Sequence, residues 1–264
     1  MALLDDIVEK KRALDSARPL PQEVVHGIAD WFDLELTVAA AALEEVPVKR
    51  ADVKAVLERG TILRHRAVEE QRFILNHRSA LELMARLSFD PTGAVTERTV
   101  AAFHSVLYRG IADDAGKYRD GPPKDDPADA SAGTAPDPAK LRVSMSALST
   151  WMRKADAAPD TAFEAHHRLS AIRPFHVGNR TTALLLCNLI LNRAGYPPVV
   201  VPAEDRGLYL DLVERAWSVG DKTPFRDLMM RLLSQSLDVC LTAAAKDPAD
   251  VDVSAAPDSD VDAP

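Results

Sequence analysis

Cysteine, aromatic residues and long apolar runs are all scarce in this chain of 264 residues. Its 2 cysteines lie far apart in the sequence, so a disulfide framework or a cysteine metal cluster has no support. No run approaches the ~18 apolar residues of a membrane-spanning helix, and the N-terminus lacks the uninterrupted apolar core of a signal peptide. These features argue against a disulfide-rich secreted protein and a membrane protein, and we expect a cytoplasmic protein.

Negative charge is concentrated in two segments. The formal net charge is -8, yet the stretches 120–138 and 246–264 together carry -9, which leaves the other 226 residues at +1. Both stretches are rich in Asp, Pro and Ala and contain no apolar residue larger than valine, a composition that cannot bury enough surface to offset chain entropy. We therefore predict a disordered loop at 120–138 and a disordered tail at 244–264. The nearly neutral body gives no electrostatic argument for nucleic-acid binding.

Helical periodicity dominates the body of the chain. Apolar residues recur every three or four positions, whereas the strongest β-like run is the valine triplet at 199–201. This pattern predicts an all-α fold, with an N-terminal helical region at 1–95 packed on a core domain at 96–243. Turn and capping residues place the helices at roughly 3–17, 21–43, 50–59, 63–88, 96–111, 143–154, 160–172, 180–194, 204–219 and 224–243.

One predicted helix has almost no polar face. Residues 182–191 read TALLLCNLIL, which is typical of a central buried helix. Gly178 and Asn179 form a turn just before it, and such a turn can offer free backbone amides and the positive end of the helix dipole to an anion. The same two residues would also serve as a simple tight turn and helix cap. Both interpretations remain open from the sequence.

The region around this turn resembles the signature of the Fic/Doc (Fido) family. Residues 172–200 read IRPFHVGNRTTALLLCNLILNRAGYPPVV, and the usual family forms are HPFx(D/E)GNGRxxR or HPFxDGNRRTA, followed by a buried helix and a GYPP exit. The resemblance covers roughly residues 20–240. It implies a compact helical Fic-like domain with an inhibitory-type helix near its N-terminus. With an intact motif it also implies transfer of a nucleotide monophosphate to a hydroxyl of a target protein. Further comparable blocks lie at 39–60, 76–84, 102–119, 165–172 and 211–230.

Three motif positions have lost the residue types that this chemistry uses. Arg173 stands in the place of the family's base, a histidine, and a protonated guanidinium cannot accept a proton. Val177 replaces the acidic residue and has no side-chain oxygen for Mg²⁺, so magnesium is not expected as a cofactor. Leu184 replaces the last motif arginine.

The rest of the motif is a candidate ligand-binding turn. Arg173 and the loss of an acid at Val177 make the pocket more positive, so ATP, another phosphorylated ligand or a small anion could bind without a metal. His176 lies in the same loop and is the nearest candidate for a relocated base beside Arg173. The alternative is that Arg173 caps carbonyls or pairs with surface acids, and that His176 faces solvent. The predicted ligand-binding residues are Gly178, Asn179, Arg180 and Thr181.

The inhibitory-type region and the target-docking region also differ from the family pattern. Glu44 matches the inhibitory glutamate, which in the family pairs with the last motif arginine. Because Leu184 removes that partner, the resemblance leaves Glu44 with at most a vestigial role. The loop at 120–138 stands where relatives carry a β-hairpin flap, and its low β-propensity argues against docking of a target by strand addition.

Three functions remain open. The first is a Fic-like protein that has lost adenylyl transfer and acts by binding, as a regulator or partner of another protein. The second is an enzyme in which Arg173 and His176 act on an anionic substrate in a redeployed pocket. The third is an adenylyltransferase that tolerates the substitutions. The sequence identifies neither a target nor a partner protein.

Overall fold

A computed structural model of the chain describes residues 2–90, 93–124 and 136–245. Ten α-helices and two short 3₁₀ turns form the regular structure of these residues, so the predicted all-α fold is confirmed. Most of the predicted loop at 120–138 and nearly all of the predicted tail lie outside the described residues. The helices are α1 (Ala2–Ser16), α2 (Gln22–Leu43), α3 (Arg50–Arg59), α4 (Val68–Ser88), α5 (Glu97–Leu107), α6 (Leu141–Met152), α7 (Pro159–Ile172), α8 (Asn179–Arg193), α9 (Arg206–Ser218) and α10 (Thr223–Ala244).

Helix α8 is the centre of the fold. Every residue from Thr181 to Leu191 is buried, as the apolar run predicts. α8 packs mainly against α7 and α4, with α5 and α2 also in contact, while α1 lies along α10. One large apolar core joins side chains from Ile7 to Cys240, so burial of hydrophobic surface from both ends of the chain stabilises the position of α8.

Local chemistry explains where the helices end. Gly60 follows α3 with a φ of 61°, a left-handed conformation that glycine adopts without strain. α7 begins with Pro159, where the missing amide has no cost. α4 begins at Val68, later than predicted, because the preceding loop is held by the Gln71 side chain, which accepts from the Leu63 amide at 2.8 Å.

The division into regions 1–95 and 96–243 stays a prediction. Among the described residues, no helix combines the length and the apolar composition needed to cross a membrane.

Candidate functional site at the entrance to helix α8

The turn before α8 requires glycine at one position. Gly178 has a φ of 74°, and a Cβ atom added there would lie 2.0 Å from Cε2 of Tyr108. The aromatic ring of Tyr108 is thus packed directly on the backbone of the turn. A side chain at position 178 would be excluded by both the left-handed backbone and this contact.

Asn179 shapes the same turn from its inner side. Its Oδ1 accepts from the Phe175 amide at 3.0 Å, and its Nδ2 donates to the Phe175 carbonyl at 2.9 Å. The Asn179 side chain is only 2% exposed. The N-cap residue of α8 is Gly178, which has no side chain to cap the helix. Asn179 therefore shapes the loop, which is one of the two roles left open by the sequence.

His104 of α5 is a site residue that the sequence reasoning missed. Its Nε2 donates to the Val177 carbonyl at 3.0 Å, and its Nδ1 accepts from the Gly116 amide at 2.8 Å. Both contacts are to backbone, so they fix one neutral tautomer. The ring also stacks on Phe175 at a centroid distance of 3.8 Å. Burial lowers the pKa of His104 to about 4, which keeps the imidazole neutral near pH 7.

Glu44 lies at the N-terminus of α8. Its Oε1 accepts from the Thr181 amide at 3.1 Å and from the Thr181 hydroxyl at 2.8 Å, and its Oε2 accepts from the Tyr108 hydroxyl at 3.2 Å. The carboxylate therefore faces the positive end of the helix dipole. The expectation of a vestigial Glu44 considered only Leu184 as a partner. The structure adds two partners that the sequence did not indicate, because Thr181 and Tyr108 hold the carboxylate at the motif helix, and the vestigial inhibitory role stays a prediction.

Arg173 does not face this site. It ends α7 in a left-handed conformation with a φ of 44° and is 4% exposed. Its guanidinium lies over the ring of Trp217, with 5.1 Å between the guanidinium carbon and the ring centroid. The side chain is therefore directed toward α9, and a cation–π contact contributes to its position.

His176 is held by carboxylates outside the turn. Its Nδ1 donates to Oδ2 of Asp114 at 2.6 Å, and its Nε2 lies 3.3 Å from Oδ1 of Asp120. The hydrogen bond from His176 lowers the pKa of Asp114. His176 is consequently neither solvent-facing nor directed at the same point as Arg173. The structure does not bring the two predicted catalytic residues together.

Arg119 ties the motif loop to the neighbouring chain and was also missed from the sequence. It is 3% exposed, and its Nε donates to the Arg173 carbonyl at 2.7 Å. Its two Nη atoms donate to the carbonyls of Gly121 and Pro136, each at 2.7 Å. The Arg119 amide also donates to the Pro174 carbonyl at 2.9 Å. One buried guanidinium thus joins three separate backbone segments.

A cavity of about 590 Å³ opens beside the entrance to α8. Its charged lining consists of four glutamates and two basic residues, so these side chains do not make the cavity positive. Val177 and Tyr108 are also part of the lining, whereas Arg173 and His176 are not. Within residues 2–90, 93–124 and 136–245, no group of three or more His, Cys, Asp or Glu is arranged to hold a metal ion. The charged lining residues are Glu44, Glu45, Glu69, Glu70, Lys124 and Arg180.

Comparison with known proteins agrees with this architecture. The sequence model of the Fic/DOC family matches residues 94–191, which include α5 to α8 and the motif turn. This segment of the chain is thus similar to a Fic/DOC domain. A Fic-domain signalling protein of Bacteroides thetaiotaomicron has a similar structure, with a TM-score of 0.83 and 23% sequence identity over 90% of this chain and 97% of that chain. The Fic/DOC fold therefore extends beyond the matched segment to nearly the whole described chain.

The curated relatives that the chain matches are longer than it is. A protein adenylyltransferase Fic of Nematostella vectensis is 28% identical over 265 residues, which cover 90% of this chain and 60% of that protein. A protein adenylyltransferase Fic of Aedes aegypti is 25% identical over 212 residues, or 78% of this chain and 41% of that protein. The chain thus spans between about two fifths and three fifths of these two relatives.

Proposed function

We propose that this Fic/DOC protein acts by binding, as a regulator or partner of another protein, and has lost magnesium-dependent adenylyl transfer. The observation that carries the proposal is the environment of the α8 entrance. The amide of Thr181 already donates to the Glu44 carboxylate, and the cavity beside it contains twice as many glutamates as basic residues. A nucleotide phosphate would meet like charge at this point.

The residues present do not fit a magnesium-bound nucleotide. Mg²⁺ prefers oxygen ligands, yet the motif position for its acidic ligand carries the hydrocarbon side chain of Val177. The carbonyl of Val177 is already engaged by His104. The four glutamates of the cavity would repel the triphosphate more strongly than Lys124 and Arg180 attract it.

The loss of a base supports the same proposal. Arg173 has no lone pair to accept a proton, and its guanidinium is directed at Trp217. Removal of a target hydroxyl's proton would need another group in the cavity. The charged side chains that line the cavity are four carboxylates and two cations. Of the carboxylates, Glu44 lies at the helix entrance and already accepts a hydrogen bond from the Thr181 hydroxyl.

One contact favours a second candidate, an enzyme with a redeployed motif loop. The 2.6 Å hydrogen bond between His176 and Asp114 is an arrangement that orients an imidazole as a general base. In this candidate His176 would act on a substrate held outside the 590 Å³ cavity, since the cavity lining does not include it.

The names of the relatives favour a third candidate, retained adenylyl transfer. The curated relatives are named protein adenylyltransferase Fic, at 25% to 28% identity in the two matches described above. This candidate requires that another residue replace the motif histidine.

A labelling experiment separates the proposal from the third candidate, retained adenylyl transfer. The full chain would be incubated with Mg²⁺ and an ATP labelled on its α-phosphate, alone and with a cell lysate. Four forms would be compared: the natural sequence, Glu44→Ala, Arg173→His with Val177→Asp, and the combination of all three substitutions. Glu44→Ala tests whether the glutamate alone prevents labelling, and the restored motif positions test whether base and metal ligand are what is missing.

We expect no label from the natural sequence or from Glu44→Ala, and measurable label only when Arg173→His and Val177→Asp are both present. Titration calorimetry with ATP should likewise show no binding by the natural sequence, with or without Mg²⁺. Transfer of label by the natural sequence or by Glu44→Ala would overturn the proposal in favour of retained adenylyl transfer.

A further inference from the structure

A second cavity lies between α2, α3 and α4, apart from the motif turn. Its volume is about 500 Å³, within the usual range for small-molecule sites. It uses residues 27–34 of α2, whereas Glu44 follows the C-terminal end of that helix. Asp33 in the cavity and Glu44 are eleven residues apart, about 16 Å along a helix. The lining residues are Gly27, Asp30, Trp31, Asp33, Leu34, Arg50, Lys54, Leu57, Glu58 and Arg78.

Charge is divided between the walls of this cavity. The α2 wall contributes two carboxylates, from Asp30 and Asp33, and no cation. The α3 and α4 walls contribute three cations and the single carboxylate of Glu58. Apolar side chains from both α2 and α3 line the space between them. The cavity as a whole is balanced in charge but has an acidic side and a basic side.

The carboxylate of Asp33 lies in an unusual environment for a charged group. It is half-buried, and among the described residues its carboxylate makes no hydrogen bond or ion pair. Nearby cations have other contacts: Arg50 pairs with Glu35 at 2.7 Å, and Arg78 donates to the Leu57 carbonyl at 3.0 Å. Burial raises the pKa of Asp33 to about 6, and the nearby Arg78 guanidinium offsets this effect only in part. A partly desolvated carboxylate without a hydrogen-bond donor from the protein is costly to the fold, and such groups are frequent at binding sites.

Lys54 is the complementary group on the opposite wall. Its nearest carboxylate among the described residues is Glu58, at 3.7 Å, which is longer than a normal hydrogen bond. The Lys54 side chain is about one third exposed. The cavity therefore has one incompletely paired anion on α2 and one incompletely paired cation on α3.

We propose that this cavity binds a zwitterionic small molecule, an α-amino acid with an apolar side chain. Its ammonium group would pair with Asp33, its carboxylate with Lys54, and its side chain would lie against Trp31 and Leu57. A ligand of this kind supplies the missing partner on each wall while leaving the cavity neutral. A purely anionic or purely cationic ligand would satisfy one wall and be repelled by the other.

Calorimetry with the full chain tests the proposal through the two charged ends of the ligand. The probes are L-leucine and L-phenylalanine, with N-acetyl-L-leucine, which lacks the ammonium group, and L-leucinamide, which lacks the carboxylate. We expect one of the two amino acids to bind at concentrations up to about 10 mM, and both blocked compounds to bind about tenfold more weakly or not at all. No binding by either amino acid, or equal binding of the blocked compounds, would overturn the proposal.

Substitutions locate the binding. Asp33→Asn and Lys54→Gln should each weaken binding about tenfold or more, while Glu23→Gln, an exposed α2 position outside the cavity, should leave it unchanged. Circular dichroism and thermal unfolding would verify that each variant is folded. Unchanged affinity in both Asp33→Asn and Lys54→Gln would place the ligand elsewhere and overturn the proposal. Because neither substitution touches the α8 entrance, the outcome is independent of adenylyl transfer.

Discussion

The α8 entrance and the cavity between α2, α3 and α4 differ in the hydrogen bonding of their polar side chains. At the α8 entrance, Glu44, Asn179 and His104 each make two or more hydrogen bonds, mostly to backbone atoms of the motif turn and its surroundings. In the cavity between α2, α3 and α4, Asp33 has no such bond among the described residues, and Lys54 has one long ionic contact. The hydrogen bonds of Glu44, Asn179 and His104 stabilise the turn at the α8 entrance, whereas Asp33 and Lys54 remain available to a ligand.

A backbone shape can be kept without the chemistry that is associated with it, as we propose for the motif turn. The motif turn keeps the glycine and asparagine that give the backbone its shape, and in the function proposed above it no longer acts on a nucleotide. The contacts of Glu44 and His104 are therefore expected to matter for stability. Substitutions in the two cavities should consequently have effects of different size and of opposite sign.

The largest effect is expected at Gly178. In Gly178→Ala the new methyl group would overlap Tyr108 and the backbone would keep a strained left-handed conformation, which should cost about 3–5 kcal/mol of unfolding free energy. Gly60→Ala is the matched control, because its φ of 61° is similar but nothing lies within 4 Å of the added Cβ. It should cost only about 1 kcal/mol. Urea unfolding of both variants measures the difference. Equal losses would mean that the Tyr108 contact has no role.

Much of the fold could be predicted from the sequence for physical reasons. The uniformly apolar run in α8 has only one stable location, the interior, and left-handed glycines with prolines mark several helix ends. The start of α4 was placed too early, at residue 63. The segment before Val68 is held by the long-range contact between Leu63 and Gln71, which periodicity does not encode.

The site was less predictable than the fold. Gly178 could be recognised because its turn is a local feature. The direction of Arg173 depends on Trp217 of α9, and the partner of Glu44 depends on packing between α2 and α8. His104 went unnoticed because it contacts backbone atoms far away in the sequence, which carry no side-chain signature.

Acid should lower the unfolding free energy of the protein, in part through His104 beside the motif turn. Burial lowers the pKa of His104 to about 4 and those of His77 and His166 to about 3, below the ordinary 6.5. As pH falls through 6.5 the unfolded chain takes up protons that the folded chain refuses, so stability falls with pH down to about 4. Between pH 7.5 and 5 we expect a loss of about 3 kcal/mol or more, measured by urea unfolding.

Replacement of His104 tests how much of this pH-dependent loss of stability comes from the motif loop. His104→Gln should reduce the loss between pH 7.5 and 5 by roughly one third, since one of three buried imidazoles is removed. His26→Gln, at an exposed position of α2, should leave the pH dependence unchanged. If the two variants have the same pH dependence, the neutral imidazole at the Val177 carbonyl is not a source of acid sensitivity.

A smaller effect is expected at Glu44. Glu44→Gln removes the charge that faces the α8 dipole and weakens the bonds from Thr181, at a cost of about 1–2 kcal/mol at pH 7.5. Glu45→Gln is the control, because the Glu45 side chain is exposed and pairs with Arg206 at the surface. That pair is worth about 0–1 kcal/mol. Thermal and urea unfolding compare the two. A larger loss for Glu45→Gln would contradict the structural role of Glu44.

The smallest effect, and the only gain, is expected in the second cavity. A pKa raised to about 6 means that ionised Asp33 disfavours the folded state once pH exceeds the ordinary value of 3.8, so Asp33→Asn should raise the unfolding free energy by about 1 kcal/mol at pH 7.5, or roughly 2–4 °C in Tm. The gain should shrink as pH falls from 6 to 4, where Asp33 itself becomes neutral. Asp30→Asn, in the same wall but exposed, should change Tm little. A lower Tm for Asp33→Asn at pH 7.5 would show that Asp33 stabilises the fold, and the contrast between the two cavities would then disappear.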